Sequence, residues 1–184
     1  MGPLMPERPK QLAHLESAGD ASRFAAQIHA LIPRSALLEN FSAAEVRGLT
    51  EFMDVYRAEP GMEILREGDG GDFMLLVTEG SVEVSKRDRW NTPQVLAVLG
   101  PGSTLGEMSM IDGEPRFATC VALEPTLVAV LDRESLARVI VEQPLLGAKM
   151  LMELVLMLSQ RLRATSARLL GLSDANSAPE ANLL

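Results

Sequence analysis

The stretch GDGGDFMLLVTEGSVEVSKRDRWNTPQVLAVLGPG, residues 68–102, decides the fold class. Three short apolar segments, Phe73–Thr78, Val82–Lys86 and Val95–Leu99, are separated by Gly68-Asp69-Gly70-Gly71, Glu79-Gly80, Asn91-Thr92-Pro93 and Gly100-Pro101-Gly102. Short segments with regular turn punctuation read as strands. Working outward, Val55–Glu59 and Glu63–Arg66 flank Pro60-Gly61, and Phe117–Leu123 and Thr126–Leu131 flank Glu124-Pro125. The apolar period changes from 3.6 to 2 at Val55. This predicts a small, mainly β sandwich or barrel with flanking helices, not a parallel βαβ sheet.

Helical patterns lie on both sides of that region. Ser22–Leu31 puts Phe24, Ile28 and Leu31 on one face and ends at Pro33. Ser42 followed by Glu45 is a capping-box pattern, opening a helix with Val46, Leu49 and Met53 at helical spacing. Asp132 is an N-cap for Arg133–Glu142, and Pro144 suits the first turn of a long helix reaching about Leu172. In that helix Ala148, Val155, Leu162 and Leu169 recur every seven residues, interleaved with Leu151, Leu158, Thr165 and Leu172. A seam repeating every 3.5 residues predicts a homodimer through this C-terminal helix, while Met150, Leu154 and Met157 form a second flank able to cover the sheet. Residues 1–20 read as a flexible lead, 21–143 as the β-domain with its N-terminal helices, 144–172 as the long helix, and 173–184 as a disordered tail.

Composition narrows the function classes. With 25 acidic against 17 basic residues the formal charge is −8, and no run of five or more Lys/Arg offsets it, so no nucleic-acid partner is expected. Cys120 is the only cysteine. It rules out an internal disulfide, fits a reducing cytoplasmic setting, and reads as a buried structural thiol among Ala118, Val121 and Ala122. The first residues lack the apolar run of a signal peptide. The greasiest stretch, Leu151–Leu158, is interrupted by Glu153 and is far too short for a membrane span. His14 and His29 have no ligand cluster around them, Asp69 and Asp72 lack calcium-loop spacing, and no nucleophile-elbow, zinc-protease or phosphate-loop pattern occurs. No catalytic residue, metal or cofactor is expected. Trp90, in the polar hairpin Lys86–Pro93, reads as a partly exposed loop residue.

The chemistry concentrates in LGEMSMIDGEPRFAT, residues 105–119. Gly100-Pro-Gly-Ser-Thr-Leu-Gly106 has G-x-G-x-x-x-G spacing without a βαβ unit around it, which is not a dinucleotide fingerprint. Its glycines still let backbone N–H groups approach an anion at the start of a short helix. Arg116 offers a planar fork for phosphate oxygens, and Glu107, repelled by phosphate, is a good acceptor for sugar hydroxyls. The pair reads either as a phosphate-plus-ribose site or as a local Glu–Arg ion pair on a loop.

The run Gly106-Glu107-Met108-Ser109-Met110, with Gly113-x-Pro115-Arg116-x-Ala118-Thr119, resembles the phosphate-binding cassette of cyclic-nucleotide-binding domains. Glu67-Gly68-Asp69-x-Gly71-Asp72-x-Met74 and Glu79-Gly80-Ser81-Val82 resemble the glycine-rich turns of the same family. The resemblance spans about Leu37 to Leu172 and implies an antiparallel eight-stranded β-roll flanked by helices. It implies that Glu107 accepts from the ribose 2′-hydroxyl, that the N–H of Gly106 or Glu107 helps frame the ring beside Met108, that Arg116 neutralises the cyclic phosphate, and that the N–H groups of Phe117 and Ala118 lie beside it. Arg161-Leu-Arg-Ala-Thr165-Ser166 resembles the adenine-contacting part of the dimer helix in the catabolite activator, with Thr165 from the same subunit and Ser166 from the partner. The family's usual Ser, Thr or Ala after the arginine is here Phe117, which cannot donate to phosphate and tilts the expectation from cGMP toward cAMP.

The resemblance therefore implies a stand-alone, non-catalytic cAMP receptor that signals to an unidentified downstream protein by helix movement. The alternatives are a degenerate roll serving only as an interaction module and a receptor for another cyclic nucleotide or dinucleotide. A transcription factor would need a helix-turn-helix after the dimer helix, and a phosphodiesterase would need a metal cluster or activated nucleophile.

Overall fold

The run Phe73-Met-Leu-Leu-Val77 alternates in neither charge nor polarity, and the fold explains it: both faces of that strand are covered. The computed structural model describes residues 9–176, with side chains through 170. Its strands are β1 (Glu16–Asp20), β2 (Asp54–Ala58), β3 (Glu63–Leu65), β4 (Phe73–Glu79), β5 (Val82–Arg87), β6 (Pro93–Leu99), β7 (Thr104–Leu105), β8 (Thr119–Ala122) and β9 (Thr126–Asp132). Its helices are α1 (Ala25–His29), α2 (Ala43–Thr50), α3 (Glu107–Asp112), α4 (Arg133–Glu142) and α5 (Pro144–Asn176).

One sheet has the order β1-β2-β9-β4-β7 and the other β3-β8-β5-β6, with antiparallel pairing throughout. Strands β2 to β9 are the eight of the β-roll, and β1 adds a ninth at one edge. On β4, Phe73, Leu75 and Val77 point between the sheets with Tyr56, Ile64, Val82 and Val128. Met74 and Leu76 point the other way, under Ile28, Phe41, Val46 and Met150. A strand buried on both faces needs apolar residues at every position, so the period-2 signal vanishes there. The two cores make three layers: helices, five-stranded sheet, four-stranded sheet.

The helix ends follow local chemistry. Ser42 Oγ accepts from the Glu45 N–H at 3.3 Å while the Glu45 carboxylate accepts from the Ser42 N–H at 2.8 Å, completing the capping box. Asp132 accepts from the Ser135 N–H at 2.6 Å and starts α4. The segment expected as one helix over Ser22–Leu31 is instead a 3-10 turn, Ala21–Phe24, followed by α1. The flexible lead is also corrected from residue 9 onward. Lys10–Leu12 is a 3-10 turn, Leu12 and Leu15 are buried, and β1 pairs with β2 from Glu16↔Arg57 to Asp20↔Asp54. Residues 1–8 lie outside the described residues.

Helix α5 runs 33 residues. Leu146, Met150, Leu154 and Met157 are buried on the roll, as the second apolar flank predicts. Of the heptad seam, Ala148, Leu151, Val155, Leu162, Thr165 and Leu169 are exposed and Leu158 is half-buried, while the side chain of Leu172 lies outside the described residues. Lys149 Nζ reaches the Glu45 carboxylate at 2.8 Å, and Asn40 donates to Glu153 at 2.9 Å, so α5 is tied down by polar contacts beside its apolar ones. The helix continues through 173–176, where a disordered tail was expected, and 177–184 lie outside the described residues. No described helix is long and apolar enough to cross a membrane.

Candidate functional site

Strand β7 passes into α3 through Gly106, at φ 77°, and α3 ends at Gly113, at φ 76°. Both are left-handed positions that strain any residue with a Cβ. Arg133, at the start of α4, donates from Nε to the Met110 carbonyl at 2.7 Å and from Nη2 to that of Ser109 at 3.1 Å, holding the end of α3. The loop after α3 is pinned in turn. The Arg116 N–H donates to the Asp69 carbonyl at 2.8 Å, and the Arg116 carbonyl accepts from the Gly68 N–H at 2.9 Å. That is why the glycine-rich turn at 67–71 and the segment at 106–119 act as one structure.

Arg116 is 2% exposed. Its Nη1 donates to the carbonyls of Phe73 and Gly106, both at 2.8 Å, and the guanidinium stacks on the Phe73 ring at 4.3 Å. Its Nε and Nη2, buried, have no hydrogen-bond partner. That edge lies against bare Gly71, where a Cβ would collide with the guanidinium. Arg116 forms no ion pair among the described residues, and burial pushes its pKa down, opposed chiefly by the charge of Asp72. A buried cation without a paired anion is costly, and Nε and Nη2 remain available as donors.

Glu107 is 3% exposed. Burial pushes its carboxyl up, opposed first by Arg161. Oε1 accepts from Arg161 Nη1, while Oε2 has no partner. Arg161 comes from α5 and also donates from Nη2 to the Thr104 hydroxyl at 2.7 Å and the Thr104 carbonyl at 3.1 Å. Of the two readings of Glu107 and Arg116, the local ion pair is not what forms: Glu107 pairs with Arg161, which the sequence reading missed, and Arg116 has no ion-pair partner among the described residues. The signal for Arg161 was its place one helical turn before Thr165.

These groups border one hollow. Gly106, Glu107, Met108, Arg116, Phe117 and Ala118, all predicted, line it together with Arg161. Its inner wall is apolar, from Leu65, Val84, Leu99 and Cys120. Burial pushes the Cys120 thiol up to about 12, which makes it inert wall rather than nucleophile. The hollow holds about 180 Å³, below the ~300 Å³ from which small-molecule sites usually start. Thr165 and Ser166 do not line it. Both are exposed on α5, and the Thr165 hydroxyl donates to its own helix, to the Arg161 carbonyl at 2.9 Å. Phe117 lines the hollow while remaining 55% exposed, its ring 4.2 Å from the Lys86 ammonium. No cluster of three or more His, Cys, Asp or Glu able to hold a metal occurs among the described residues.

A guanidinium with two unused donors and a half-used carboxylate lining one apolar-backed hollow suit a ligand with a phosphate, a hydroxylated sugar and a flat apolar face. A family model described as the cyclic nucleotide-binding domain matches residues 56–143. The crystal structure of a cyclic nucleotide-binding domain from Methylobacillus flagellatus is 36% identical, covers 95% of this chain and 96% of that one, and superposes with a TM-score of 0.78. The Thermus thermophilus cyclic AMP receptor protein is 35% identical over 109 residues, 59% of this chain and 49% of that protein. A CRP-like cAMP-activated global transcriptional regulator of Mycobacterium tuberculosis is 23% identical over 139 residues, 76% of this chain and 60% of that protein. The chain therefore spans about half to three-fifths of the length of these two curated relatives.

Proposed function

The chain belongs to the cyclic-nucleotide-binding domain family, and on that premise we propose that it is a non-catalytic receptor for a cyclic nucleotide, cAMP in preference to cGMP. The observation that carries this reading is Arg116: buried, without an ion-pair partner, and lining the same hollow as Glu107. The cyclic phosphate meets Arg116 and the N–H groups of Phe117 and Ala118. The ribose 2′-hydroxyl donates to the free oxygen of Glu107. Phe117 offers no hydroxyl to a guanine amino group, which favours adenine.

Glu107 also explains how binding is communicated. One oxygen holds Arg161 of α5 and the other is available to the sugar, so ligand and helix meet on one carboxylate. A ligand that alters this contact biases the position of α5 by its differential affinity for the two arrangements. The exposed heptad seam supports a homodimer through α5, in which the partner's copy of Ser166 could reach the adenine, and an unidentified downstream protein would read the helix movement.

A second reading rests on Arg161 itself. A roll that satisfies its carboxylate from its own helix could serve as an interaction module without any nucleotide. Thermal unfolding separates the two. A ligand at 100 times its Kd adds about 2.7 kcal/mol, so cAMP should raise the midpoint and Arg116→Leu should abolish that rise while leaving the ligand-free protein folded. No shift with cAMP, cGMP or cyclic dinucleotides would establish the interaction module instead.

A further inference from the structure

The departure at Phe117 has a neighbour that no motif singles out. Lys86, on β5, donates from Nζ to the Phe117 carbonyl at 2.7 Å and lies 4.2 Å from the centre of the Phe117 ring. A third contact, to Glu67 Oε1 at 2.9 Å, fixes the ammonium. Glu67 is itself fixed: its Oε2 accepts from the Arg87 N–H at 2.9 Å, and its N–H donates to the Thr119 hydroxyl at 3.0 Å. Its carboxyl is held below the ordinary value, first by the Arg87 N–H and then by Lys86. The ammonium is therefore built into the rim rather than free in solvent.

What it grips matters more than the grip. The carbonyl of Phe117 and the N–H of Ala118 are the two ends of one planar trans peptide and point in opposite directions. Both residues precede β8, so this peptide lies outside the β5–β8 ladder, which ends at Ser85↔Thr119. Ala118 lines the first hollow but not a second one of about 440 Å³, which Lys86 and Glu67 line and which shares Met108 and Phe117 with the first. A cation on the carbonyl holds the plane of this peptide and polarises its N–H, strengthening the donor at the far end. The backbone is pinned before this peptide at Arg116 and after it at Thr119, and the Lys86 contact holds the peptide between them.

We infer that Lys86 is a positioning residue for the cyclic phosphate: its hydrogen bond to the Phe117 carbonyl orients the Ala118 N–H as a phosphate donor, compensating for the side-chain hydroxyl that Phe117 does not supply. The inference rests on the receptor reading above and assigns Lys86 a part in ligand affinity without contact to the ligand. Lys86 is a third exposed, so replacing it should leave the roll folded.

The test uses the ligand-free and cAMP-titrated protein. In Lys86→Met the Ala118 amide proton should move upfield in the ligand-free spectrum, and cAMP affinity should fall about tenfold, the loss of one hydrogen bond's worth of donor strength. Lys86→Arg, which can still donate to the carbonyl, should restore both. A purely structural role would lower the unfolding midpoint of Lys86→Met without a localised change at Ala118. An unchanged Ala118 resonance, unchanged cAMP affinity, or no rescue by arginine would each overturn the inference. If wild type binds no cyclic nucleotide at all, the receptor reading fails by itself, and the ligand-free Ala118 comparison still decides whether Lys86 holds that peptide.

Discussion

Two adjacent glycines make a matched pair for testing how Arg116 is seated. At Gly71 an added Cβ would lie closer than 3.0 Å to Nε, Cζ and Nη2 of Arg116, whereas at Gly70 nothing lies within 4 Å. Neither position needs a positive φ, so alanine is acceptable to the backbone at both and only the contact differs. To return to ordinary contact in Gly71→Ala the guanidinium must withdraw by about 1 Å. It cannot do so freely, because Nη1 is held by two carbonyls at 2.8 Å. Hydrogen bonds from a charged group are worth about 1.5–3 kcal/mol each, and one of the two should be lost. Gly71→Ala should therefore cost about 1.5–3 kcal/mol in urea unfolding and lower cAMP affinity about 10- to 100-fold. Gly70→Ala should stay within about 0.5 kcal/mol of wild type and bind normally. Equal behaviour of the two variants in both assays would refute the placement of Arg116.

Two further outcomes follow from the site and the helix. Glu107 has a folded-state pKa raised by burial, so its ionisation penalises the folded protein; that penalty is absent below the ordinary value of 4.5 and sets in as pH rises through the folded value. Ligand-free Glu107→Gln should therefore match or exceed wild-type stability at pH 7, with the advantage gone near pH 4, while cAMP binding weakens; a variant clearly less stable than wild type at pH 7 would contradict the assignment. Leu162→Glu places like charges across the seam at a residue the roll does not touch, and should weaken self-association at least tenfold in sedimentation without lowering monomer stability; an unaltered dimer would remove the seam from consideration.

What could be read from sequence was what local chemistry decides. The Ser42–Glu45 box and the Asp132 cap are made by residues three apart and form as expected. Seven of the eight strands of the roll announce themselves because a glycine or proline turn cuts them off, whereas β7, two residues between Gly102 and Gly106, is too short to show a period and is absent from the sequence reading. β1 did not, since Glu-Ser-Ala-Gly-Asp has no apolar alternation and is a strand only because β2 offers an edge about 37 residues later. The same limit applies to the site. Motif spacing brought Glu107 and Arg116 to one hollow, but the partner of Glu107 is 54 positions away on another element. Thr165 is the converse case: a polar residue in an apolar seam drew attention, and in the folded chain its hydroxyl is satisfied one turn back along its own helix.

Helix α5 changes character along its length, and Arg161 stands at the change. Met157 is its last buried apolar contact with the roll, and from 161 to 170 every side chain is exposed. Beyond Arg161, whose side chain still contacts Glu107, the helix continues as a rod for about 22 Å, at 1.5 Å per residue. A tilt of about 5° at that point, smaller than a hydrogen bond would notice, swings the far end by about 2 Å. Motion too slight to see in the hollow becomes, at the tip, a displacement large enough to take a leucine out of register with whatever it packs against.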